Sequence, residues 1–314
     1  MKVISRFIRS LVLLCLPSLI ASGQITWPTP ANVLVFNDFT SMNTEVNADL
    51  WVGGNLTVSN FSVGKDLNGV PANHPSLVVG NDLKWKNGQV FYGRAFVGGM
   101  IHQAPNVLNG SLNNYLTPGL SFSQLLNQSR TLSSTLAAAP ATASAVNHFN
   151  TLNFSGNSGL NVFNLTPGEL QNIHTFKFNA PQDALMIVNV SGASYQHLAN
   201  TGINPNDLTG GLGFGNILFN FHEATKVDLG RITGFGGSLL APDAHVTGPY
   251  GSFSGQLVAS SYKGNYEFYD FPLTSFQFSP IPEPAVYGPL AALTLGGLIV
   301  RRILRRRCSE AKAA

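Results

Sequence analysis

Short apolar segments that end in glycine recur along the sequence, and this repeat constrains the fold more than any other feature. Leu50–Gly53 returns as Leu77–Gly80 and as Ala95–Gly98, so the Val-Gly step recurs after 27 and then 18 residues. Gly237–Pro242 is echoed by Gly255–Ser260, again 18 residues later. Short strands at such spacing predict a β-solenoid, in which each repeat forms one coil.

The composition favours a chain rich in strands and turns. Only 11% of the residues are charged, whereas 32 are Gly and 30 are Asn. These values exclude a coiled coil and charge-driven disorder. Glycine would supply positive φ angles at the coil corners, and asparagine would stack in ladders. A sandwich or barrel with glycine-rich hairpins is the alternative fold, with Asn87-Gly88 as its best hairpin turn.

One segment departs from the strand pattern. Ser121 and Gln124 have the spacing of a capping box, and apolar residues follow with helical periodicity until Pro140. We therefore predict one helix over Phe122–Ala139, with its apolar side against the solenoid. Strands are expected to resume at Phe176–Phe178, Ala184–Val190 and Ile217–Phe221. Because no long linker interrupts the body, residues 24–279 are predicted to form a single domain.

The charges and cysteines of this body restrict its chemistry. From residue 24 to 279 there are nine Lys/Arg and thirteen Asp/Glu, a net charge of −4, and the excess of positive charge lies at the two ends. No basic stripe marks a nucleic-acid surface, so we expect no nucleic-acid partner. Cys15 and Cys308 both lie outside the body, which therefore has no disulfide and no thiolate for catalysis or metal binding.

The N-terminus has the three parts of a secretory signal. Basic residues precede an apolar run over Leu11–Ile20, and the small residues Ala21 to Gly23 follow. We predict a signal peptide over residues 1–23, with a signal peptidase cutting between Gly23 and Gln24. An uncleaved anchor is the alternative, but ten helical residues span only about 15 Å, half of a bilayer core.

The C-terminus combines a proline-rich motif, an apolar stretch and an arginine cluster. The stretch Ala285–Val300 would span about 24 Å as a helix, and we predict a transmembrane helix over 285–304 with a cytoplasmic tail over 308–314. Residues 280–307 resemble the PEP-CTERM sorting signal of Gram-negative bacteria, which implies processing by an exosortase-type enzyme. An ordinary single-pass anchor is the alternative. The residues that carry the resemblance are Pro282, Glu283, Pro284, Arg301, Arg302, Arg305, Arg306 and Arg307.

The body also resembles a known family. Val33–Phe39 followed by Trp51–Leu56 is similar to the opening of the choice-of-anchor A domain, and Ile217–Phe221, Gly237–Ala244 and Asn265–Phe271 are similar to its closing half. The resemblance implies an ice-binding-like adhesive domain, that is, a right-handed β-helix flanked by one α-helix. It also implies a role in surface adhesion or matrix association, and the family has no assigned catalytic residues.

Motifs for catalysis and metal binding are incomplete in this sequence. His222–Lys226 begins like a zinc-protease helix but has Lys where the second His is required. Asp66, Asp82, Asp228 and Asp243 could lie at solenoid corners and bind calcium, but no Gly/Asp nonapeptide repeat accompanies them. We therefore expect no catalytic residue, no metal site and no cofactor.

The leading hypothesis is an exported, non-enzymatic adhesion or matrix protein that contacts a polysaccharide or a surface through exposed Asn, Thr and Tyr. Tyr250, Tyr262, Tyr266 and Tyr269 could stack on sugars, or they could pack strands and cap the end of the solenoid. A secreted polysaccharide-cleaving enzyme is the second hypothesis, and it requires carboxylates that converge in one groove. Ice binding is the third, although no Thr-x-Thr ladder repeats at coil spacing.

Overall fold

The fold is described from a computed structural model that covers residues 23–25, 27–115, 119–274 and 276–278. Residues Ile25–Phe276 form one compact unit. The strands of its first half, with the short β1, are β1 (Gly23–Ile25), β2 (Val33–Val35), β3 (Phe39–Val46), β4 (Leu50–Val52), β5 (Leu56–Val63), β6 (Leu77–Val79), β7 (Leu83–Tyr92), β8 (Ala95–Val97), β9 (Ile101–Gln103), β10 (Asn106–Asn109) and β11 (Leu112–Asn113).

The second half of the fold contains two α-helices, the 17-residue α1 (Phe122–Ala138) and the four-residue α2 (Pro167–Leu170). Single 3-10 turns are formed by Pro205–Asp207 and Phe214–Asn216. The strands of this half are β12 (Val146–His148), β13 (Thr151–Ser155), β14 (Gly159–Leu165), β15 (Thr175–Asn179), β16 (Ala184–Val190), β17 (Ser194–Gln196), β18 (Thr201–Gly202), β19 (Leu208–Thr209), β20 (Ile217–Asn220), β21 (Lys226–Asp228), β22 (Ile232–Gly236), β23 (Ser238–Ser254), β24 (Leu257–Tyr269) and β25 (Phe276–Phe278).

The predicted solenoid is confirmed by long parallel ladders, in which equivalent strands of successive coils pair in register. Val52 lies opposite Val79, and Val79 lies opposite Val97, as the 27- and 18-residue repeats require. Leu239 likewise lies opposite Leu257. Parallel strands need a crossover between them, which the rest of each coil supplies. The right-handed winding implied by the family resemblance stays a prediction.

The two halves of the chain stack on each other through its first and last coils. Strand β2 pairs on one side with β4 and on the other with β24, so that Val33 lies between Leu50 and Leu257. One continuous ladder therefore runs in the order β14, β16, β20, β23, β24, β2, β4, β6, β8, β11. The chain winds away from this junction in its first half and returns to it in its second half.

The core is filled by the inward-facing side chains of these ladders. Alternation along β5 buries Leu56 and Val58 and leaves Thr57 exposed, as expected for a strand with one face on the core. Aromatic rings stack from coil to coil across the junction, with Phe39 and Tyr262 in contact at 5.0 Å between ring centroids. Because the body has no disulfides, its stability depends on the packing of this core.

Helix α1 begins and ends close to the predicted limits. The Ser121 side chain accepts a hydrogen bond from the Gln124 backbone, which forms the expected N-cap, and the helix ends at Ala138. Its contact with the solenoid differs from the predicted apolar side, because the buried residues are Ser129, Ser133 and Leu136. Small serine side chains let the helix approach the strands closely, and the Ser133 hydroxyl reaches the buried amide of Asn220.

Asparagine ladders form at two places on the solenoid, an inner one covered by α1 and an outer one exposed to solvent at the predicted bends. The inner ladder joins Asn164, Asn189 and Asn220 by side-chain hydrogen bonds of 2.9 Å. Its Asn189 donates to the Leu136 carbonyl of α1, and its Asn220 receives a hydrogen bond of 2.6 Å from the Ser133 hydroxyl. The ladder thereby joins α1 directly to two successive coils, those of β16 and β20.

The outer ladder explains why Asn87-Gly88 is not a hairpin turn. Asn43, Asn60 and Asn87 all have positive φ and are linked side chain to side chain at 2.7 and 3.1 Å. Asn87 and Gly88 lie within the continuous strand β7, which pairs in parallel with β5. The positive φ angles of these asparagines therefore produce a bend in each coil. For the described residues, the sandwich or barrel alternative is wrong.

One antiparallel hairpin lies beside the solenoid ladders. Strands β12 and β13 pair so that His148 lies opposite Thr151, which leaves Phe149 and Asn150 as a two-residue turn. Both turn residues have positive φ, at 48° and 60°. Strand β13 continues into a four-stranded sheet through β15 and β19.

Several predictions fall on residues that the structure does not describe. The signal segment 1–22 and the sorting segment from Pro282 to Arg307, with its helix over 285–304, lie outside the described residues. Gly23 and Gln24 lie in β1, which pairs with β25 in a two-stranded sheet. Within the described ranges no helix is long and apolar enough to cross a membrane. The cleavage sites and the domain limits stay predictions.

Candidate binding surface

The glycine corners after β4, β6 and β8 bring backbone and polar side chains of neighbouring coils together. A Cβ atom on Gly54 would lie 2.6 Å from the Asp38 carboxylate, and one on Gly99 would collide with the Asp82 carboxylate. Each glycine therefore leaves space for an acidic side chain from the preceding coil. The glycine directly after a short strand has a different reason, because a Cβ on Gly53 or Gly80 would overlap a backbone carbonyl oxygen of the preceding coil.

A ladder of side chains and main-chain amides runs along this corner. Asp38 Oδ1 accepts from the Asn55 amide at 2.8 Å, Asn55 Oδ1 accepts from the Asp82 amide at 3.2 Å, and Asp82 Oδ1 accepts from the Met100 amide at 2.8 Å. Because each link joins one coil to the next, the polar groups repeat at the parallel-strand spacing of about 4.8 Å.

These residues line an open polar groove of about 310 Å³, which we call the corner groove. Its wall on the strand side is formed by Thr40, Thr57 and Lys84, which lie opposite one another in β3, β5 and β7. His102 completes the groove, with Nε2 3.6 Å from Asp82 Oδ2. The full lining is Asp38, Thr40, Asn55, Leu56, Thr57, Asp82, Lys84 and His102.

The corner groove combines hydrogen-bond donors and acceptors without a deep apolar floor. Carboxylate and amide oxygens accept hydrogen bonds, and the lysine, imidazole and hydroxyl groups donate them. Such a row can bind the hydroxyl groups of an extended ligand along several coils. Sequence reasoning identified Asp82 as a corner residue but did not place Asp38, Asn55 and His102 beside it.

The four aspartates proposed for calcium do not come together. Asp243 pairs with Arg130 of α1 at 2.9 Å, and Asp228 accepts from the Gly230 amide and the Thr247 hydroxyl at 2.9 Å each. Asp66 and Asp82 lie at different corners of the coils. Among the described residues, no group of three His, Cys, Asp or Glu side chains is arranged to hold a metal ion.

The zinc-protease-like segment does not form a helix. His222 and Glu223 lie in a turn before β21, and Lys226 begins that strand. Glu223 accepts a hydrogen bond of 2.7 Å from the Gly192 amide. His222 lines a second open pocket of about 350 Å³ between α1 and the solenoid, together with Arg130, Ser133 and Asp243.

The tyrosine stacking hypothesis is wrong for two of its four residues. Tyr262 and Tyr266 are buried in the core, where Tyr262 stacks on Phe39 and the Tyr266 hydroxyl donates to the Ile232 carbonyl. Their large apolar rings fill the interior of the last coil, so the packing alternative holds for them. Burial raises the pKa of both hydroxyl groups. Tyr250 is exposed, and Tyr269 is half-buried.

Comparisons with solved structures return ice-binding proteins. One from an Antarctic biological consortium is 14% identical with a TM-score of 0.40, covering 77% of this chain and 86% of its own. One from the Antarctic ascomycete Antarctomyces psychrotrophicus is 13% identical with a TM-score of 0.36, covering 79% and 96%. A glycosylated one from an Arctic yeast is 13% identical with a TM-score of 0.39, covering 84% and 97%. Likenesses of this size do not identify a ligand.

No curated protein sequence matches the chain. Residues 32–270 match the family described as "Putative Ice-binding-like adhesive domain" (pAdhesive_15). This range includes the solenoid ladders, α1 and the corner groove. The chain therefore belongs to the ice-binding-like adhesive domain family.

Proposed function

We propose that this protein is an exported, non-enzymatic adhesion or matrix protein whose solenoid binds an extracellular polysaccharide or another surface. The observation that carries the proposal is the corner groove, in which Asp38, Asn55 and Asp82 repeat from coil to coil. A repeating row of donors and acceptors suits a ligand that is itself a repeat. Membership in an adhesive domain family supports the same role.

The proposed mechanism is the sum of many weak polar contacts. Hydrogen bonds at an open surface each contribute little, because the ligand exchanges them for bonds to water. Several contacts along one polymer act together, since each contact raises the effective concentration of the next. The ladder hydrogen bonds hold the groove side chains in place before the ligand binds, which lowers the entropy lost on binding.

Binding of polysaccharides by groove variants tests this mechanism. We expect the double variant Lys84→Ala/His102→Ala to bind several-fold more weakly than the wild type in a sedimentation assay. Lys86→Ala is the matched control, because Lys86 is also exposed on β7 but does not line the corner groove. Equal affinity of the double variant and the control would show that the groove is not the binding surface.

Polysaccharide cleavage is the alternative function, because the carboxylates of Asp38 and Asp82 line the same groove. The two residues lie two coils apart, which corresponds to about 9.6 Å at the spacing of parallel strands. Inverting glycosidases hold their carboxylates about 6.5–9.5 Å apart. Adhesion is favoured here, since one oxygen of each carboxylate is already bound to a main-chain amide. Release of reducing ends from a polysaccharide that Asp82→Asn abolishes would support the enzyme instead.

Ice binding has less support from the exposed side chains. On the strand-side wall, Thr40 and Thr57 are stacked, but Lys263 and Lys84 flank them in the same register. A column that includes two lysines lacks the uniform hydroxyl and methyl array that a flat ice face uses. Thermal hysteresis in a purified sample would contradict this argument.

We also propose that the ends of the chain serve export. Signal peptidase would cut before Gln24, and an exosortase-type enzyme would process the tail near Pro282 to Pro284. The protein would be anchored in the inner membrane at least transiently and then reach the cell surface or matrix. The support is the order of signal, proline motif, apolar stretch and arginines in the sequence.

Intact mass and cell fractionation of the native protein test the export proposal. We expect a mass that begins at Gln24 and ends near Pro284, in the outer surface or matrix fraction. A mass that retains Arg307, found only in the inner membrane, would make the tail a plain anchor. The adhesion proposal would then lose its support from sorting.

A further inference from the structure

The hairpin tip formed by Phe149 and Asn150 combines backbone strain with unusual exposure. Phe149 has a φ of 48°, in the left-handed region that bulky side chains rarely adopt. Two-residue hairpin turns of this kind strongly prefer Asn-Gly or Asp-Gly. The phenyl ring is 91% exposed, the highest value among the described large hydrophobic side chains. Neither the local backbone nor core packing therefore explains the choice of phenylalanine here.

The surroundings of the ring are polar and uncharged. Its edge contacts the His148 ring at 4.4 Å between centroids, and Val146 is exposed on the same hairpin. Asn147 and Asn150 belong to the same hairpin, and both side chains are exposed. From residue 131 to 168 the sequence contains no Asp, Glu, Lys or Arg. In the paired strands the nearest charged residue is Lys177, opposite Asn153.

We propose that this hairpin tip is a carbohydrate-binding site in which the Phe149 ring stacks on a pyranose of an uncharged polysaccharide. A sugar ring presents an apolar face of C–H groups, which suits an exposed aromatic ring, and a rim of hydroxyl groups, which suits amide and imidazole groups. The absence of charge favours a neutral glycan over an acidic one. This inference rests on the proposed adhesive function and names its ligand class.

The site lies away from the corner groove. The hairpin joins the sheet of β13, β15 and β19, whereas the groove lies on the coils of β3, β5 and β7. The pairings of the strand ladder place β14, which follows the hairpin directly, at the opposite end from β8 and β11. The aromatic contact is therefore independent of the groove, and variants can separate the two.

The strained turn allows a variant that removes the ring without endangering the fold. Asparagine adopts positive φ more readily than phenylalanine, so we expect Phe149→Asn to raise the melting temperature, by about 2–4 °C. The same change should weaken sedimentation with a neutral polysaccharide about tenfold, the loss expected for one aromatic contact. Phe149→Trp should bind at least as well as the wild type.

The assay uses the full protein purified from its host, with cellulose, a soluble β-glucan and galactomannan as neutral probes. Alginate serves as the acidic probe, and phosphatidylcholine vesicles serve as the lipid probe. Leu108→Asn is the control, because Leu108 is an exposed apolar residue on β10, which pairs with β7 in the other half of the solenoid. We expect this control to bind like the wild type.

The outcomes separate the two proposals. If the wild type binds a neutral polysaccharide and Phe149→Asn binds equally well, the inference is wrong while the adhesive function stands. Loss of binding in Tyr250→Asn but not in Phe149→Asn would assign the stacking to the exposed tyrosine instead. Binding to alginate alone or to vesicles alone would overturn the neutral-glycan assignment. No binding of the wild type to any polysaccharide or to the vesicles would overturn the inference and count against the adhesive function.

Discussion

Two buried titratable side chains make opposite contributions to stability in acid. Burial raises the pKa of Asp49 to about 6, although His74, 2.8 Å away, acts to lower it. Burial lowers the pKa of His197 to about 4, and its Nδ1 is paired with the Tyr195 hydroxyl at 2.7 Å. Both groups prefer the uncharged form in the folded protein, so their effects oppose each other as the pH falls.

The pH dependence of an Asp49→Asn variant tests this balance. In the folded protein the pKa of Asp49 is about 6, above its unfolded value of 3.8. The free energy of unfolding therefore falls as the pH rises from 3.8 to about 6, because the unfolded chain ionises first. The folded pKa of His197 lies below 6.5, so His197 lowers stability as the pH falls from 6.5 to about 4. A shift of two pKa units corresponds to about 3 kcal/mol. We expect Asp49→Asn to be more stable at pH 7 and to lose stability more steeply in acid.

Denaturant unfolding at several pH values between 4 and 7 measures both effects. The wild type should change little across this range, because the two contributions offset each other. If Asp49→Asn has the same pH profile as the wild type, burial does not perturb the Asp49 carboxyl in the way its surroundings indicate.

The requirement for glycine at a coil corner is a second property that depends on a single residue. A Cβ atom on Gly80 would overlap the carbonyl oxygen of Gly53 in the neighbouring coil. We expect Gly80→Ala to lower the free energy of unfolding by about 2–4 kcal/mol, because backbone must move in two coils. Gly168→Ala, where a Cβ would meet only Thr166 Oγ1 at 3.9 Å, should be neutral or slightly stabilising. Thermal melts compare the two, and equal melting temperatures would contradict the expectation.

At the scale of elements, α1 depends on buried polar contacts as well as on apolar packing. The Ser133 hydroxyl donates to Asn220 Oδ1, and the Asn220 amide donates to the Ser133 carbonyl at 2.9 Å. The ion pair between Arg130 and Asp243 is exposed and contributes little, as is usual for surface pairs. We therefore expect the buried ladder to contribute more than this ion pair to the position of the helix.

Paired serine variants test the role of the ladder. We expect Ser133→Ala to destabilise the protein by about 1–3 kcal/mol, because Asn220 Oδ1 would lose a buried donor. Ser134→Ala should have almost no effect, since the exposed Ser134 hydroxyl bonds only to Thr131 of its own helix. Chemical denaturation measures the difference, and equal stability of the two variants would show that the ladder does not hold the helix.

Element limits were predictable where one local rule acted alone. The helix start at Ser121, the strand Ala184–Val190 and the short strands before each corner glycine all agree with the sequence analysis. The side chains that α1 buries were not predictable from periodicity, which favoured leucine over Ser129 and Ser133. Ser133 is buried against Asn220 of a distant coil, and helical spacing carries no signal for such a partner.

At the scale of the whole molecule, the first and last coils hold the two halves together. Strands β2 and β24 pair over three residues, and Asn32 donates to the Gly255 carbonyl across 223 residues of sequence. The interior of both halves is one hydrophobic cluster. The solenoid is therefore expected to unfold as one unit, even though each coil contacts mainly its neighbours.

A substitution at the junction tests this cooperativity. Ala259 is fully buried opposite Val35. The substitution Ala259→Arg would therefore place a charge in the core. We expect a large fall in the melting temperature with a single transition for both halves, because an unpaired buried charge is costly wherever it lies. Calorimetry with two separate transitions would show instead that the halves are independent folding units.

The sequence by itself determined the coil repeat, the glycine corners, the strand alternation and the helix start, because each depends on residues within one coil. Only the tertiary structure decided that Val33 lies beside Leu257, that Tyr262 and Tyr266 belong to the core, and that Phe149 is exposed. Periodicity fixes which side of a strand faces inward, but it does not specify which coil covers that strand. That choice depends on the total apolar surface buried when distant coils stack, and this quantity is a property of the whole fold.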